Sequence, residues 1–327
     1  MRLSVGLHAM AGIALSLGAG ACSESLGPIS DPSALRASLA LVESVFASAI
    51  VQSMGILAYG PLPYGTSGPP LIPDSLLGKT FAWSCAVNGY AVSTDTGAPA
   101  TGVRIVLYQR APDGGLACPV TAIGDLDVFD VSSTGTAAVR AIATGTGRGS
   151  PLVEYTISHS VGDPRGMASA IGMVSDGQRR LTFQLTGGPG AVFNSGSSTL
   201  HLDDSIADVH EVSSDAGQMG VDTRSDDLDF TVQHQGTTVE LKGSTGWFNT
   251  LQSWDEVVTV NNVPFVHVGG GLLPQGSQPA LTPLPPVWLL TDAQRQLLYA
   301  LVSHPGTIGH GVGSVLGAGA RLVAFTL

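Results

Sequence analysis

From Lys79 onward apolar and polar residues alternate with a period of two. Val153, Tyr155 and Ile157 are interleaved with Glu154, Thr156 and Ser158. Leu181, Phe183 and Leu185 are interleaved with Thr182 and Gln184, and Leu228, Phe230 and Val232 with Asp229, Thr231 and Gln233. Successive side chains of a strand point to opposite faces, so each run has one apolar face and one wet face. Turn residues separate the runs. Asp176-Gly177, Gln235-Gly236 and Asn261-Asn262 each lie between two runs and predict hairpins. The pattern predicts an antiparallel meander over residues 79–268. Its register is well specified, because a slip of one residue would expose the whole apolar set. A turn near residues 96–100 is expected to pair the strand holding Cys85 with residues 103–109.

An apolar sheet face needs a cover, and two stretches have a period near 3.6. Asp31-Pro32 supplies an N-cap and a first-turn proline. Leu35, Leu39, Val42, Phe46 and Ile50 then recur three or four residues apart, which predicts a helix over 32–53. Thr291, with Gln294 three residues on, makes a capping box. Leu297, Leu298, Leu301 and Val302 form the stripe of a second helix over 291–304. His304 falls in its last turn, and Pro305 ends it. Prolines and glycines over 59–74 leave an extended cover. The glycine-rich stretch 306–327 reads as a small-residue loop with a short closing strand. The expected fold class is α+β, mainly β. A single domain over 31–327 would hold a large curved antiparallel meander, one face covered by an N-terminal and a C-terminal helix.

The first residues follow another pattern. Arg2 is the only charge before Glu24, residues 3–17 are mostly apolar, and residues 17–21 are small. This is the layout of a secretory signal peptide over 1–21. Its apolar core is shorter than the roughly 20 residues that span a bilayer. Ala19-Gly20-Ala21 leads directly into Cys22, and that arrangement resembles the lipobox of bacterial lipoproteins. The resemblance implies cleavage before Cys22, a diacylglycerol on its thiol, an acylated amino terminus and a tether over 22–30. Ser23, where an aspartate would retain the protein at the inner membrane, implies the outer membrane, facing the periplasm or the outside. "LIPDSLLGKTFAW", "TGAPATGVRIVLYQ", the long meander and the late helix resemble uncharacterised lipoproteins of bacterial envelopes. "GAPATGVRIVLY" is also similar to transthyretin-like sandwich modules. In architecture, a helix-backed curved sheet is similar to the LolA/LolB carriers and other half-barrel lipid binders. That likeness implies an apolar ligand or an envelope protein as partner.

Composition narrows the partners. Charged residues are 12% and the net charge is −11. An acidic chain with few Lys and Arg has no electrostatic footprint for nucleic acid. Anionic headgroups would not attract it either, so the N-terminal lipid is the expected membrane tether. There are three cysteines. With Cys22 acylated, Cys85 and Cys118 form an even remainder that suits an oxidising periplasm; a disulfide and two buried thiols both fit. Candidate chemistry is sparse. "HLDDSIADVH" would gather His201, Asp203, Asp208 and His210 at a hairpin, a ligand set for zinc or another divalent metal. The wet face of a hairpin accounts for the same residues. There is no G-x-S-x-G elbow and no H-E-x-x-H, and "GHGVGSVLG" lacks the spacing and context of a dinucleotide loop. The expectation is a non-catalytic protein without a cofactor, binding or structural in role. The alternative is a carrier of a hydrophobic ligand or lipoprotein, held in a pocket between sheet and helices.

Overall fold

The alternating runs become strands of a single sheet. The computed structural model describes residues 29–59, 70–147, 149–161, 168–187, 196–204, 209–219, 223–248, 250–274, 276–287 and 289–324. Among these residues fifteen strands pair edge to edge: β1 (Thr80–Ser84), β2 (Gly89–Val92), β3 (Gly102–Tyr108), β4 (Ala122–Asp130), β5 (Thr136–Gly145), β6 (Pro151–Ser160), β7 (Ala168–Ser175), β8 (Arg180–Gly187), β9 (Gly196–Asp204), β10 (Val209–Met219), β11 (Thr223–His234), β12 (Thr237–Phe248), β13 (Leu251–Val260), β14 (Val263–Pro274) and β15 (Ala280–Pro283). From β15 back to β3 each strand pairs antiparallel with its neighbour in sequence, and β1 and β2 follow at the end. The two edge strands, β2 and β15, are only four residues long, which limits the unpaired backbone open to another chain.

The predicted turns carry the backbone that hairpins require. Gly177 has φ 92°, Gln235 and Gly236 have φ 48° and 76°, and Asn261 and Asn262 have φ 49° and 65°. One pairing differs from expectation. The strand holding residues 80–84 does not form a hairpin with 103–109 around a turn at 96–100. It pairs antiparallel with β2 and runs parallel to β3. The reason is local: Asn88-Gly89 is itself a hairpin dipeptide, and Asn88 takes φ 49°. The hairpin closes there, and residues 93–101 bring the chain back to the other side of β1. The sheet also runs past 268, to Pro283.

Three helices cover one face: α1 (Pro32–Phe46) on β7 and β8, α2 (Ala49–Tyr59) on β3 and β4, and α3 (Asp292–Ala324) on β5 and β6. Beneath them the inward residues are buried, among them Leu126, Val139, Val153, Tyr155, Leu181 and Phe183. The outward residues carry cross-strand ion pairs. Arg104 is bidentate to Asp127 at 2.7 and 2.8 Å, and Arg140 contacts Glu154 at 2.5 Å. Asp31 caps α1 by accepting from the Ala34 amide at 2.8 Å. Thr291 and Gln294 cap α3 reciprocally, at 3.2 and 2.9 Å.

Both helices differ from the stretches predicted. The first is two helices, bent by 53° at Ala47-Ser48 and extending to Tyr59. The bend lets α2 follow the sheet toward β3. The second does not end at 304, and 306–324 is not loop: α3 continues through Pro305 to Ala324, and residues 325–327 of the loop and closing strand predicted over 306–327 lie outside the described residues. Proline removes an amide donor and crowds the carbonyl four residues back. Here hydroxyls serve the carbonyls around it. Ser303 Oγ donates to the Tyr299 and Ala300 carbonyls at 3.2 and 3.1 Å, and Thr307 Oγ1 to the Ser303 carbonyl at 3.2 Å. His304 is therefore no last-turn cation. It is fully buried in mid-helix. No single helix among the described residues is long and apolar enough to cross a membrane. Of the cover predicted over 59–74, residues 60–69 lie outside the described residues, and Leu71 and Ile72 are core.

Candidate functional site

The seam between helices and sheet contains more polar groups than its apolar stripes require. Ser38, on the second turn of α1, places Oγ 2.9 Å from Nε2 of His234 at the end of β11. Further along α1, Glu43 Oε1 lies 2.8 Å from His304 Nδ1 on α3, and the His304 ring is 5.8 Å from that of Phe230. Ser53 Oγ accepts the Tyr108 amide at 3.0 Å, and the Tyr155 hydroxyl accepts the Gly319 amide at 3.1 Å. A buried polar group without a partner is costly, so each of these contacts fixes one way of seating the helices on the sheet. Ser38 and His234 have the spacing of a nucleophile and its base. Acyl transfer also needs donors aimed at the developing oxyanion. Ser38 lies inside a helix, whose amides bond carbonyls four residues back, and both residues are more than nine-tenths buried.

Elsewhere the seam is filled by close approach. A Cβ at Gly311 would lie 2.7 Å from Phe46 Cβ and Cγ, and one at Gly319 2.8 Å from the Tyr155 hydroxyl. One at Gly124 would lie 2.8 Å from Ile50 Cδ1. Glycine is what allows α3 to touch α1 and β6, and α2 to touch β4.

Glu256 departs from this pattern. It lies on β13 opposite Gly243 and Val268, on the face that buries Trp254 and Val258, and is 1% exposed. Thr245 Oγ1 donates to Oε1 at 2.6 Å, while Oε2 has no partner among the described residues. Burial pushes its carboxyl above the ordinary range, and the Thr245 hydrogen bond only partly opposes that. The folded state therefore favours the protonated acid. Its contribution to stability is fully present below the unfolded carboxyl's pKa and is lost as pH rises through the folded one. Glu256→Gln should melt with wild type near pH ~4 and above it near pH ~8, by roughly 2–4 °C for each kcal/mol relieved. Thermal melts across that range check this; parallel curves for the two proteins would show that Glu256 titrates alike folded and unfolded.

The residues singled out in the sequence are placed as follows. Cys85 and Cys118 are joined by a disulfide with Cα atoms 6.1 Å apart. Cys22 lies outside the described residues, as does Asp208. Of the "HLDDSIADVH" set, the β9–β10 register puts His210 opposite Asp203 and Val212 opposite His201. The side chains of His201 and His210 lie outside the described residues. Among the described residues no three His, Cys, Asp or Glu side chains group as a metal site. The seam contacts were not legible in advance, since Ser38 and His234 are 196 residues apart and Glu43 and His304 261. Compared with protein-family models, curated proteins and solved structures, the chain finds no match.

Proposed function

We propose that this is a lipid-anchored protein of a bacterial envelope, held at the outer membrane through Cys22, with a non-catalytic binding or structural role. The observation that carries the reading is the Cys85–Cys118 disulfide. Disulfides persist in oxidising compartments. Of three cysteines in the chain, this pairing leaves Cys22, the residue that follows the signal-peptide-like segment. The polar ties and close glycine contacts of the seam support a domain that presents its surfaces rather than opening its core. Cys22→Ser is expected to move the protein from the membrane pellet to the soluble periplasmic extract. It should also remove the acyl mass from the N-terminal peptide. Wild-type protein in the soluble extract, or a variant that still sediments with membranes, would overturn the proposal.

One observation favours a second reading, the carrier of a hydrophobic ligand or lipoprotein. Glu256 Oε2 is buried without a partner among the described residues, on the same face as Trp254, and glycines stand opposite both residues, Gly243 and Gly270. A ligand with a polar head would satisfy that oxygen. Native mass spectrometry of protein purified from the periplasm decides between the two. A lipid adduct that disappears in Glu256→Leu supports the carrier, and a bare mass supports the filled domain.

A further inference from the structure

We propose that the end of the domain where α1 and α3 begin rests on a lipid bilayer, with Leu289 buried in its interface. The proposal builds on the lipid anchor at Cys22 and adds an orientation and a contact surface.

The two helices run side by side in the same direction. Arg36 Nη1 is 2.6 Å from Gln296 Oε1, Glu43 meets His304, and Phe46 lies against Gly311. Their first turns are therefore neighbours. Ile29, two residues before the Asp31 cap, is buried at that end. Leu289, two residues before the Thr291 cap, emerges from the same end.

Leu289 is 84% exposed, more than the other exposed large hydrophobics. The segment holds it out by construction. Val287 and Leu290 on either side are buried, the Val287 amide bonds the Leu284 carbonyl, and the Leu284 amide bonds the Phe265 carbonyl, both at 2.9 Å. Val263, two residues before Phe265 and the first residue of β14 after the β13–β14 turn, is 49% exposed. That turn is tied to the β11–β12 turn by the Thr238 amide on Asn261 Oδ1 at 2.9 Å, and β11 ends at His234, which α1 contacts through Ser38.

The tether decides the occupant. Cys22 precedes Ile29 by seven residues, a reach of at most about 25 Å when fully extended. An acyl chain on Cys22 thus keeps this end within that distance of the bilayer, where an exposed leucine gains by leaving water. The net charge of −11 means that the contact is apolar and does not depend on anionic lipid.

The test uses the full lipidated protein carrying Leu289→Cys, labelled with an environment-sensitive fluorophore and reconstituted into phosphatidylcholine vesicles. Val131→Cys is the control, an exposed site just past the end of β4, on the side of the sheet away from the β11–β12 and β13–β14 turns. With Cys22 acylated and Cys85 bonded to Cys118, the added thiol is the only one to label. Flotation is read first. The expected result is a protein that floats, with a blue-shifted probe at 289 that loses most of its emission to a quencher on the acyl chains, and an unquenched probe at 131. A floating protein whose 289 probe behaves like the one at 131 overturns the contact and leaves the anchor standing. A protein that does not float overturns both.

Discussion

Valine at Gly311 is expected to destabilise the protein by about 3 kcal/mol, whereas alanine at Gly306, Gly309 and Gly313 together should stabilise it by about 2 kcal/mol. All four glycines lie in α3 beyond Pro305. A glycine in a helix interior loses backbone entropy on folding, so alanine normally improves a helix. At Gly306, Gly309 and Gly313 no described atom outside the local helix backbone lies within 4 Å of an added Cβ, and the propensity gain stands alone. At Gly311 the added atom meets Cβ, Cγ and Cδ1 of Phe46 at 2.7–2.8 Å. Those atoms sit near the α1 backbone and cannot swing away, so relief requires the helices to part. Overpacking then exceeds the propensity gain. Denaturant unfolding of the four variants gives both signs. A stable Gly311→Val protein would mean that α3 is not seated on α1 at Phe46, and the polar ties at Glu43–His304 and Tyr155–Gly319 would lose their geometric basis.

The same glycines explain why α3 was only half legible. Its start was plain: Thr291 and Gln294 make the capping box that the spacing predicts. Beyond His304 local preference points the other way. Proline breaks an isolated helix and glycine weakens it, so 306–327 reads as loop. The structure overrides propensity because burial of Ile308, Val312, Val315 and Leu316 fixes the segment as helix, and small residues are what the close approach to Phe46 and Tyr155 demands. The strands were legible because alternation and turn chemistry are local and agree with each other. Phe230 and Val232 are buried while Asp229 pairs with Lys242 at 3.4 Å, as period two requires. Where two turn signals competed, at Asn88-Gly89 and near 96–100, the shorter hairpin won and β3 came to run parallel to β1. The polar seam had no local signal at all. Ser38 and Glu43 look like ordinary residues of an amphipathic helix, and only the closed sheet–helix layer brings His234 and His304 to them.

Removing the disulfide, as Cys85→Ser with Cys118→Ser, is expected to cost about 3–4 kcal/mol from the loop it closes over a sequence separation of 33. The loss should appear first at one edge of the sheet. β1 is registered with β3 at only two pairs, Thr80–Arg104 and Phe81–Ile105, and β2 is paired in the sheet with β1 alone. Cys85 follows β1 directly, and Cys118 lies in the connection between β3 and β4, so the bond ties the β1–β2 hairpin to the sheet beyond β3. What remains without it, beyond those pairs, is an aromatic cluster: Trp83 packs edge-on against Tyr90 at 5.5 Å, Tyr90 lies 6.4 Å from Tyr108, the Tyr90 hydroxyl donates to the Val106 carbonyl at 3.1 Å, and the Tyr108 hydroxyl accepts the Trp83 amide at 3.3 Å. Hydrogen exchange should therefore quicken over residues 80–92 in the reduced or serine protein, while β6 and β8 under the helices keep their protection. Unchanged exchange would show that the strand pairing and the aromatic cluster hold the edge without the bond. Quickened exchange would make the edge conditional on an oxidising compartment. In a reducing one, loosening of β1 and β2 would leave β3 as a longer unpaired edge, seven residues against the four of β2, and open to pairing with another chain.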